Sequence, residues 1–480
     1  MVCYTFTERC ILYYIAVRNI LNLIIVVHAI NGGFKEMGKY FGTDGVRGKA
    51  NEGLTLDMSI KIGQYLGWYY GKEKHAKILI GKDTRLSGDM FELGLAAGAT
   101  SMGAQVYLLG VCPTPAISYL VRKERFDCGI MVSASHNPYY DNGIKCFNHN
   151  GEKMEEELLL EVEKYMDGLT DLDLVTGDHI GEYFEWEDGL EIYMSWLKEC
   201  VPVDLSGMKI LCDLANGSAT STAVETLDSL GATVDAISNS PNGININNKC
   251  GSTHPEGLQR MMREGDYDIG LAFDGDADRL IMVDSDGKLC DGDYILYICS
   301  RYMKSINHLN KNMVVTTVMA NLGLYKALDA NKIDYIQTAV GDKYVFEEMQ
   351  KNDYWVGGEQ SGHIIFLEHE VTGDGLMTAL KILAIMKATG KSLKELSEGL
   401  FIYPQLLKNV TVKDKNACLE SKELQEVVDS VANDLGNEGR ILVRPSGTEP
   451  LIRVMVEAKT DELCAQYVKR VTDFLEENNF

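Results

Sequence analysis

The 480-residue chain reads as an α/β protein in which three related α/β domains are followed by a smaller C-terminal α+β domain. Three observations predict this. A strand, a polar or glycine-bearing turn, an Ala/Leu-rich helical stretch and a second strand recur three times. The chain is long enough for several domains of about 150 residues each. Residues 405–480 break the recurring pattern and alternate short strands with amphipathic helices.

The first strands of the three units are the apolar runs 76–80, 208–212 and 312–316. Each enters a turn: Gly81-Lys82-Asp83-Thr84-Arg85, residues 213–218 and residues 317–321. The second strands fall at 105–109, 233–237 and 334–338. In the last domain, 406–412, 439–444 and 452–458 read as strands, and 421–435 and 463–477 as helices. An acidic, aromatic region at 183–191, a Gly/Asp-rich region at 286–293 and Pro404 mark the boundaries. The expected domains are therefore 37–188, 189–289, 290–404 and 405–480.

Residues 1–36 do not match the body. The stretch 11–30 is nearly continuous apolar sequence broken by Arg18, Asn19, Asn22 and His28, so it lacks the uninterrupted run of about 18 residues expected of a spanning helix. A start at Met37 explains it better than a membrane anchor or a secretory leader, and the segment is expected to lie outside the fold.

Composition narrows the function. With 45% hydrophobic and 24% charged residues the body is that of a soluble globular protein. A net charge of −24 argues against nucleic acid, which needs clustered Lys and Arg to displace counterions. Any phosphate site must be local, and a small anionic substrate held by a few Arg side chains and backbone N–H groups fits that balance. Twelve scattered cysteines without a C-x-x-C pair read as reduced thiols. A cytoplasmic location and no membrane partner are expected.

Four motifs carry chemistry. Ser133-Ala134-Ser135-His136-Asn137-Pro138 follows the apolar strand 128–132, which sets Ser135 on a tight turn at a strand's carboxyl end, where open α/β sheets place their chemistry. A hydrolase triad is the competing reading, but G-x-S-x-G is missing and an adjacent His is a poorly placed base. Asp274-Gly275-Asp276-Ala277-Asp278-Arg279 follows the strand 269–273 with three carboxylates at alternate positions, suited to one hard divalent cation. An EF-hand is excluded, since Arg279 stands at its sixth position and Ser285 at its twelfth. A solvated acidic turn is the plain alternative.

Gly357-Gly358-Glu359-Gln360-Ser361-Gly362-His363 joins two strands, and its glycines let Glu359 and Ser361 approach a ligand and accept from sugar hydroxyls. A glycine-rich hairpin would look similar. Arg444-Pro445-Ser446-Gly447-Thr448-Glu449-Pro450 holds an Arg, two hydroxyls and successive N–H groups, the inventory of an anion nest, with Arg453 nearby. Gly390-Lys391-Ser392 is no phosphate loop, because Ile385 occupies the first glycine position and the residues before it read as helix.

With these motifs in this order, and Tyr40-Phe41-Gly42-Thr43-Asp44-Gly45-Val46-Arg47-Gly48 ahead of them, the chain resembles the α-D-phosphohexomutase superfamily from Met37 to its end. Ser-Ala-Ser-His-Asn-Pro and Gly-Glu-Gln-Ser-Gly-His resemble the branch that acts on glucosamine phosphates. The resemblance implies four domains around a central cleft, each giving one loop. It implies that Ser135 is the phosphoserine, that Asp274, Asp276 and Asp278 hold one Mg²⁺ together with a phosphoserine oxygen, and that Glu359 and Ser361 lie at the sugar. Arg444, Ser446, Gly447, Thr448 and Arg453 would anchor the non-reacting phosphate. Arg47, His136, Lys145, Arg279 and the substrate-binding His363 would surround the reacting one.

The implied reaction interconverts glucosamine 6-phosphate and glucosamine 1-phosphate through a 1,6-bisphosphate, with glucosamine or glucose 1,6-bisphosphate as intermediate or activator, and feeds UDP-N-acetylglucosamine and cell-wall precursor synthesis. A phosphomannomutase or phosphoglucomutase would share every catalytic motif, and Gln360 in place of Met favours the glucosamine branch. A non-catalytic sugar-phosphate-binding protein would be expected to lack Ser135 or one of the three Asp. Lys343 stands where the branch often has Arg, which keeps the charge and loses a bidentate contact. The sequence leaves the oligomeric state open, a homodimer included.

Overall fold

The structure, a computed structural model, describes residues 38–72, 74–446 and 450–478. The expectation for residues 1–36 lies outside the described residues. Four sheets form, of seven, five, four and three strands.

In the first three sheets one four-strand unit recurs. Its first, second and third strands are parallel, its fourth is antiparallel to the third, and the spatial order is second, first, third, fourth. The strands are Lys77–Lys82, Gln105–Val111, Cys128–Val132 and Asp141–Asn148 in the first unit. In the second they are Lys209–Asp213, Thr233–Ile237, Ile269–Phe273 and Leu280–Val283. In the third they are Met313–Thr317, Asp334–Thr338, Val356–Gly358 and Ile364–Phe366. Helices cross between the parallel strands, as a parallel sheet requires. The hairpin between third and fourth strands therefore occupies an equivalent place in all three units. Those hairpins carry Ser135, the three Asp and Glu359.

The first and third strands of each unit are buried along nearly their whole length, which explains the apolar runs there. In the first unit Ile78, Ile80, Ile130 and Val132 face Ile62, Leu66, Leu95 and Ala99 on one side. Leu79 and Met131 face the other way, into a core that continues through Leu120, Tyr193, Leu271, Phe273, Leu296 and Leu380. The three units thus share one apolar interior. Helix Gly189–Cys200 sits within this junction: Trp196 stacks on Tyr119 with ring centroids 4.0 Å apart, and the Tyr193 hydroxyl donates to Asp374 Oδ2 at 2.6 Å.

The C-terminal sheet is wholly antiparallel, Gln405–Thr411, Leu451–Glu457 and Arg440–Pro445, and has its own core of Val431, Ile452, Val454, Val456, Val468 and Val471. Its last helix begins at Asp461, two residues ahead of the periodic signal, because the Thr460 hydroxyl caps it and acidic Asp461 and Glu462 fill the first turn. Arg440 fastens this sheet to the third unit. Its guanidinium donates to Glu457 Oε2 at 2.6 Å, Val318 O at 3.1 Å and Ala320 O at 2.5 Å. Among the described residues no helix is long and apolar enough to cross a membrane.

Candidate active site

Strand Cys128–Val132, buried throughout, delivers the nucleophile loop. Ser135 sits in left-handed backbone space at φ 51°, costly for a residue with a Cβ. Its surroundings hold it there. Arg85 donates to the carbonyl oxygens of Ser135 and Asn137 at 2.8 Å each and of Asp141 at 3.0 Å, and also to Pro138 O. Asn247 Nδ2 adds a further bond to Ser135 O at 2.8 Å. Arg85 is itself aimed by Asp83, whose Oδ2 accepts from Arg85 Nε at 2.8 Å and from the Ser133 hydroxyl at 2.6 Å. Ser133 Oγ in turn accepts from the Ser135 N–H at 2.9 Å. The two serines are thereby told apart: Ser133 braces the loop, while Ser135 Oγ reaches Asp274 Oδ2 at 2.6 Å and lies 3.3 Å from His136 Nδ1.

The metal loop meets it head-on. A Cβ on Gly275 would stand 2.4 Å from Ser135 O, so only glycine lets the two hairpins approach this closely. Asp274, Asp276 and Asp278 are all buried, with ligand oxygens within 4.8 Å of one another. Lys145 Nζ donates to Asp276 Oδ2 at 2.6 Å and to Asp278 Oδ2 at 3.3 Å, and the Thr114 hydroxyl also donates to Asp276. Asp276 Oδ1 is buried without a hydrogen bond, and Asp278 Oδ1 has only the Arg279 guanidinium, 3.6 Å away. Burial, then Asp278 and Asp276, push the Asp274 carboxyl well above its usual range. Buried carboxylate oxygens left unpaired are costly, and a hard divalent cation taking oxygen ligands relieves that cost, so the residues fit such an ion.

Positive groups ring the two loops. Arg279 NH1 lies 3.4 Å from His136 Nδ1, and its Nε is 3.6 Å from Asp278 Oδ1. Arg47 pairs with Asp44. The Nε atoms of Arg47 and Arg279 are buried and unbonded, leaving donors for an anion. Burial, then Arg279 and Arg47, hold the His136 imidazole down to about 4, so it is neutral near pH 7.

The sugar-loop candidate is a tight hairpin in which the Glu359 N–H donates to His363 O and the Gly362 N–H to Glu359 O, both at 3.0 Å. Glu359 Oε1 accepts from the Gly341 N–H at 3.0 Å, and burial pushes its carboxyl up. Ser361 is exposed. His363 is buried, with Nε2 2.9 Å from Gly373 N and Nδ1 3.6 Å from Asp278 Oδ2. Burial opposes its charge, but Asp278 and Asp342 raise it to about 8. Lys153 bridges the first and third units, 2.9 Å from Asp44 and 2.7 Å from Asp342. Lys343 pairs with Glu156 of the first unit.

The structure thus gathers Ser135, His136, Lys145, Asp274, Asp276, Asp278, Arg279 and His363 into one centre, with Arg47 and Glu359 beside it. Arg444, Ser446 and Arg453 form a second cluster on the C-terminal sheet, where Arg444 stands directly opposite Arg453 and Arg453 NH2 is 3.4 Å from Ser446 Oγ. Arg444 Nε is buried without a partner, and burial and Arg453 lower its affinity for the proton. Like charges in direct cross-strand register suit an anion between them. Gly447 and Thr448 lie outside the described residues. Sequence reasoning missed Asp83, Arg85, Thr114, Asn247 and Lys153. For the first two the signal was present, since Asp83-Thr84-Arg85 follows the first strand at its carboxyl end.

Descriptions of the four phosphoglucomutase/phosphomannomutase domains match this chain in order: alpha/beta/alpha domain I over residues 38–172, domain II over 191–287, domain III over 291–402 and the C-terminal domain over 407–474. The chain belongs to this family. A phosphoglucosamine mutase of Lachnospira eligens is 52% identical over 448 residues, covering 92% of this chain and 100% of the relative. Among solved structures, a phosphoglucomutase/phosphomannomutase family protein from Burkholderia thailandensis superimposes with a TM-score of 0.74 at 22% identity, over 91% of this chain and 97% of that one. The Aspergillus fumigatus N-acetylphosphoglucosamine mutase, solved in complex with GlcNAc-6P and magnesium, gives 0.65 at 19% identity over 94% and 99%. At those identities the structural likeness speaks for the fold.

Proposed function

We infer that the chain is a phosphoglucosamine mutase that interconverts glucosamine 6-phosphate and glucosamine 1-phosphate. The observation that carries this is the buried Ser135 hydroxyl, held on a strained turn 2.6 Å from Asp274 in a carboxylate cage where Asp276 Oδ1 is left without a hydrogen bond. About half of the residues are shared with relatives named phosphoglucosamine mutase, which favours this substrate over mannose or glucose phosphates. With Ser135 and all three Asp in place, a mere binding protein is the poorer reading.

In the proposed cycle Ser135 carries a phosphoryl group and gives it to the free hydroxyl of the bound sugar phosphate. The 1,6-bisphosphate so formed turns over in the cleft, returns its other phosphoryl group to Ser135, and leaves as the isomer. Asp274, Asp276 and Asp278 would hold Mg²⁺, which when bound supplies positive charge to the transferring oxygens. Arg47, Arg279 and Lys145 supply further charge, and neutral His136 can donate or accept a hydrogen bond at the Ser135 oxygen. Glu359 and Ser361, with His363 behind them, would orient the sugar hydroxyls. Arg444, Ser446, Gly447, Thr448 and Arg453 would hold the idle phosphate. Because the bisphosphate is pseudo-symmetric, one such anchor serves both orientations.

On this reading the four units, bounded at 37–188, 189–289, 290–404 and 405–480, each give one loop to the cleft. The substrate is a small hexosamine phosphate handled in the cytoplasm, by a monomer or a homodimer. A coupled assay of glucosamine 6-phosphate against mannose and glucose phosphates tests the assignment. Preference for glucosamine 6-phosphate is expected, and equal or better turnover of the other sugars would overturn it.

A further inference from the structure

Helix Gly292–Ser305 drives its amino end into the back of the loop 359–363. The Gly292 N–H donates to Gln360 O at 3.0 Å. A Cβ added to Gly292 would lie 2.0 Å from Glu359 O, 2.9 Å from Gly362 N and 3.0 Å from Gln360 C. Gly292 is not among the glycines with positive φ, so its own backbone does not demand glycine and the closeness of the loop does.

The residues on either side fix the helix end in place. Asp291 is the N-cap and accepts from the Asp293 N–H at 3.2 Å. Burial pushes its carboxyl up to about 6, and the side chain of Gln360 is the first of the contacts that hold it down. Asp293 is buried and accepts from the Asn321 N–H at 2.7 Å, which ties the turn to the third unit's own framework. Gln360 is thus engaged through both its main-chain oxygen and its side chain by the helix end.

We propose that Asp291 and Gly292 are positioning residues for the loop 359–363, so that hexose discrimination is set from behind the loop as well as by the side chains that face the sugar. The proposal rests on the assignment of that loop to the sugar. It also reassigns Gln360, which acts by fixing the loop on Asp291 and Gly292.

The test compares Gly292→Ala, Asp291→Ala and Asp291→Asn with the unaltered full chain. Three quantities are measured: kcat and KM for glucosamine 6-phosphate and glucose 6-phosphate, phosphoserine content by intact mass, and hydrogen exchange of the peptide spanning residues 356–366. A methyl group at Gly292 must displace the loop by on the order of 1 Å, and a misplacement of that size costs up to about 10²-fold. Gly292→Ala is therefore expected to raise KM for glucosamine 6-phosphate at least about tenfold, to alter the glucosamine-to-glucose ratio and to speed loop exchange, with phosphoserine retained. Asp291→Ala should do the same less strongly, and Asp291→Asn, still a good cap and acceptor, should restore most of it.

Unchanged KM, ratio and loop exchange in Gly292→Ala would overturn the proposal. If that variant does not fold, Asp291→Ala indistinguishable from the unaltered chain overturns it equally. Should the unaltered chain turn over no hexosamine phosphate, the mutase assignment is what fails, and loop exchange in the same variants still decides whether the helix end positions the loop.

Discussion

Ser135 and Asp274 meet at 2.6 Å, hydroxyl to carboxylate, from equivalent hairpins of two successive sheets. The contact exists because Gly275 leaves room for Ser135 O and because Arg85 and Asn247 hold the Ser135 turn by its carbonyl oxygen. The first two units therefore build the reactive position jointly.

Ser135→Ala should remove the phosphoryl group seen by intact mass and nearly all turnover. Ser133→Ala should keep the modification and lose part of kcat, since it strips one partner from Asp83 and from the Ser135 N–H. Leaving buried groups unsatisfied costs about 1–3 kcal/mol, or a roughly 5- to 150-fold slower reaction if it is felt in positioning. Phosphate retained on Ser135→Ala and lost from Ser133→Ala would reverse the assignment.

Asp276→Asn should weaken Mg²⁺ binding, measured by titration calorimetry, and slow transfer by several orders of magnitude, because a cation clamp on phosphoryl oxygens lowers the barrier by several kcal/mol. The fold should persist, as Lys145 keeps its contact with Asp278. Near-normal activity of the unaltered enzyme in excess chelator would remove the metal from the site.

Arg444 and Arg453 stand directly opposite each other on neighbouring strands, so Arg444→Ala should shift stability and affinity in opposite directions. Relieving a direct cross-strand like-charge pair is expected to raise stability by about 0.2–1 kcal/mol. KM for the sugar phosphate should rise strongly. Inorganic phosphate should raise the melting temperature of the unaltered chain more than that of the variant, and equal shifts would show that this pair is not the anchor.

The three repeated units were legible because their first strands are buried on both faces and so stand out as apolar runs ending in polar turns. The chemistry at those turns was legible too, since Ser135 and Asp274 to Asp278 follow such runs directly. The supporting partners were not. Arg85 and Asn247 act on Ser135 across 50 and 112 residues of sequence, and their targets are backbone oxygens, which leave no residue type to recognise. The sharing of one apolar core by three units was equally hidden, because Tyr193 and Trp196 look like the start of a separate domain until their partners Asp374 and Tyr119 are seen.

Glu370 and Asp374 form a buried carboxyl pair at that junction, approached by the Tyr193 hydroxyl and, at 3.9 Å, by Arg122. Burial, then Asp374, push the Glu370 carboxyl well above its usual range, and burial raises Asp374 as well. The folded chain therefore keeps a proton on the pair that the unfolded chain releases above about pH 4.3. Since the native state binds more protons, stability falls as pH rises from that value toward the raised folded one, by about 1.4 kcal/mol per unit for a single proton. Glu370→Gln places an uncharged amide donor against Asp374 and removes the linked proton. Melting temperatures measured from pH 5 to 7 should decline less steeply for Glu370→Gln than for the unaltered chain, and the two curves running parallel would show that the pair holds no shared proton. Asp374→Asn is a different case, because Asp374 Oδ1 also accepts from the Leu376 and Met377 N–H groups at 2.8 and 2.9 Å and caps helix Gly375–Thr389. An Asn there still caps, so the variant should flatten the pH dependence with little loss of helix stability.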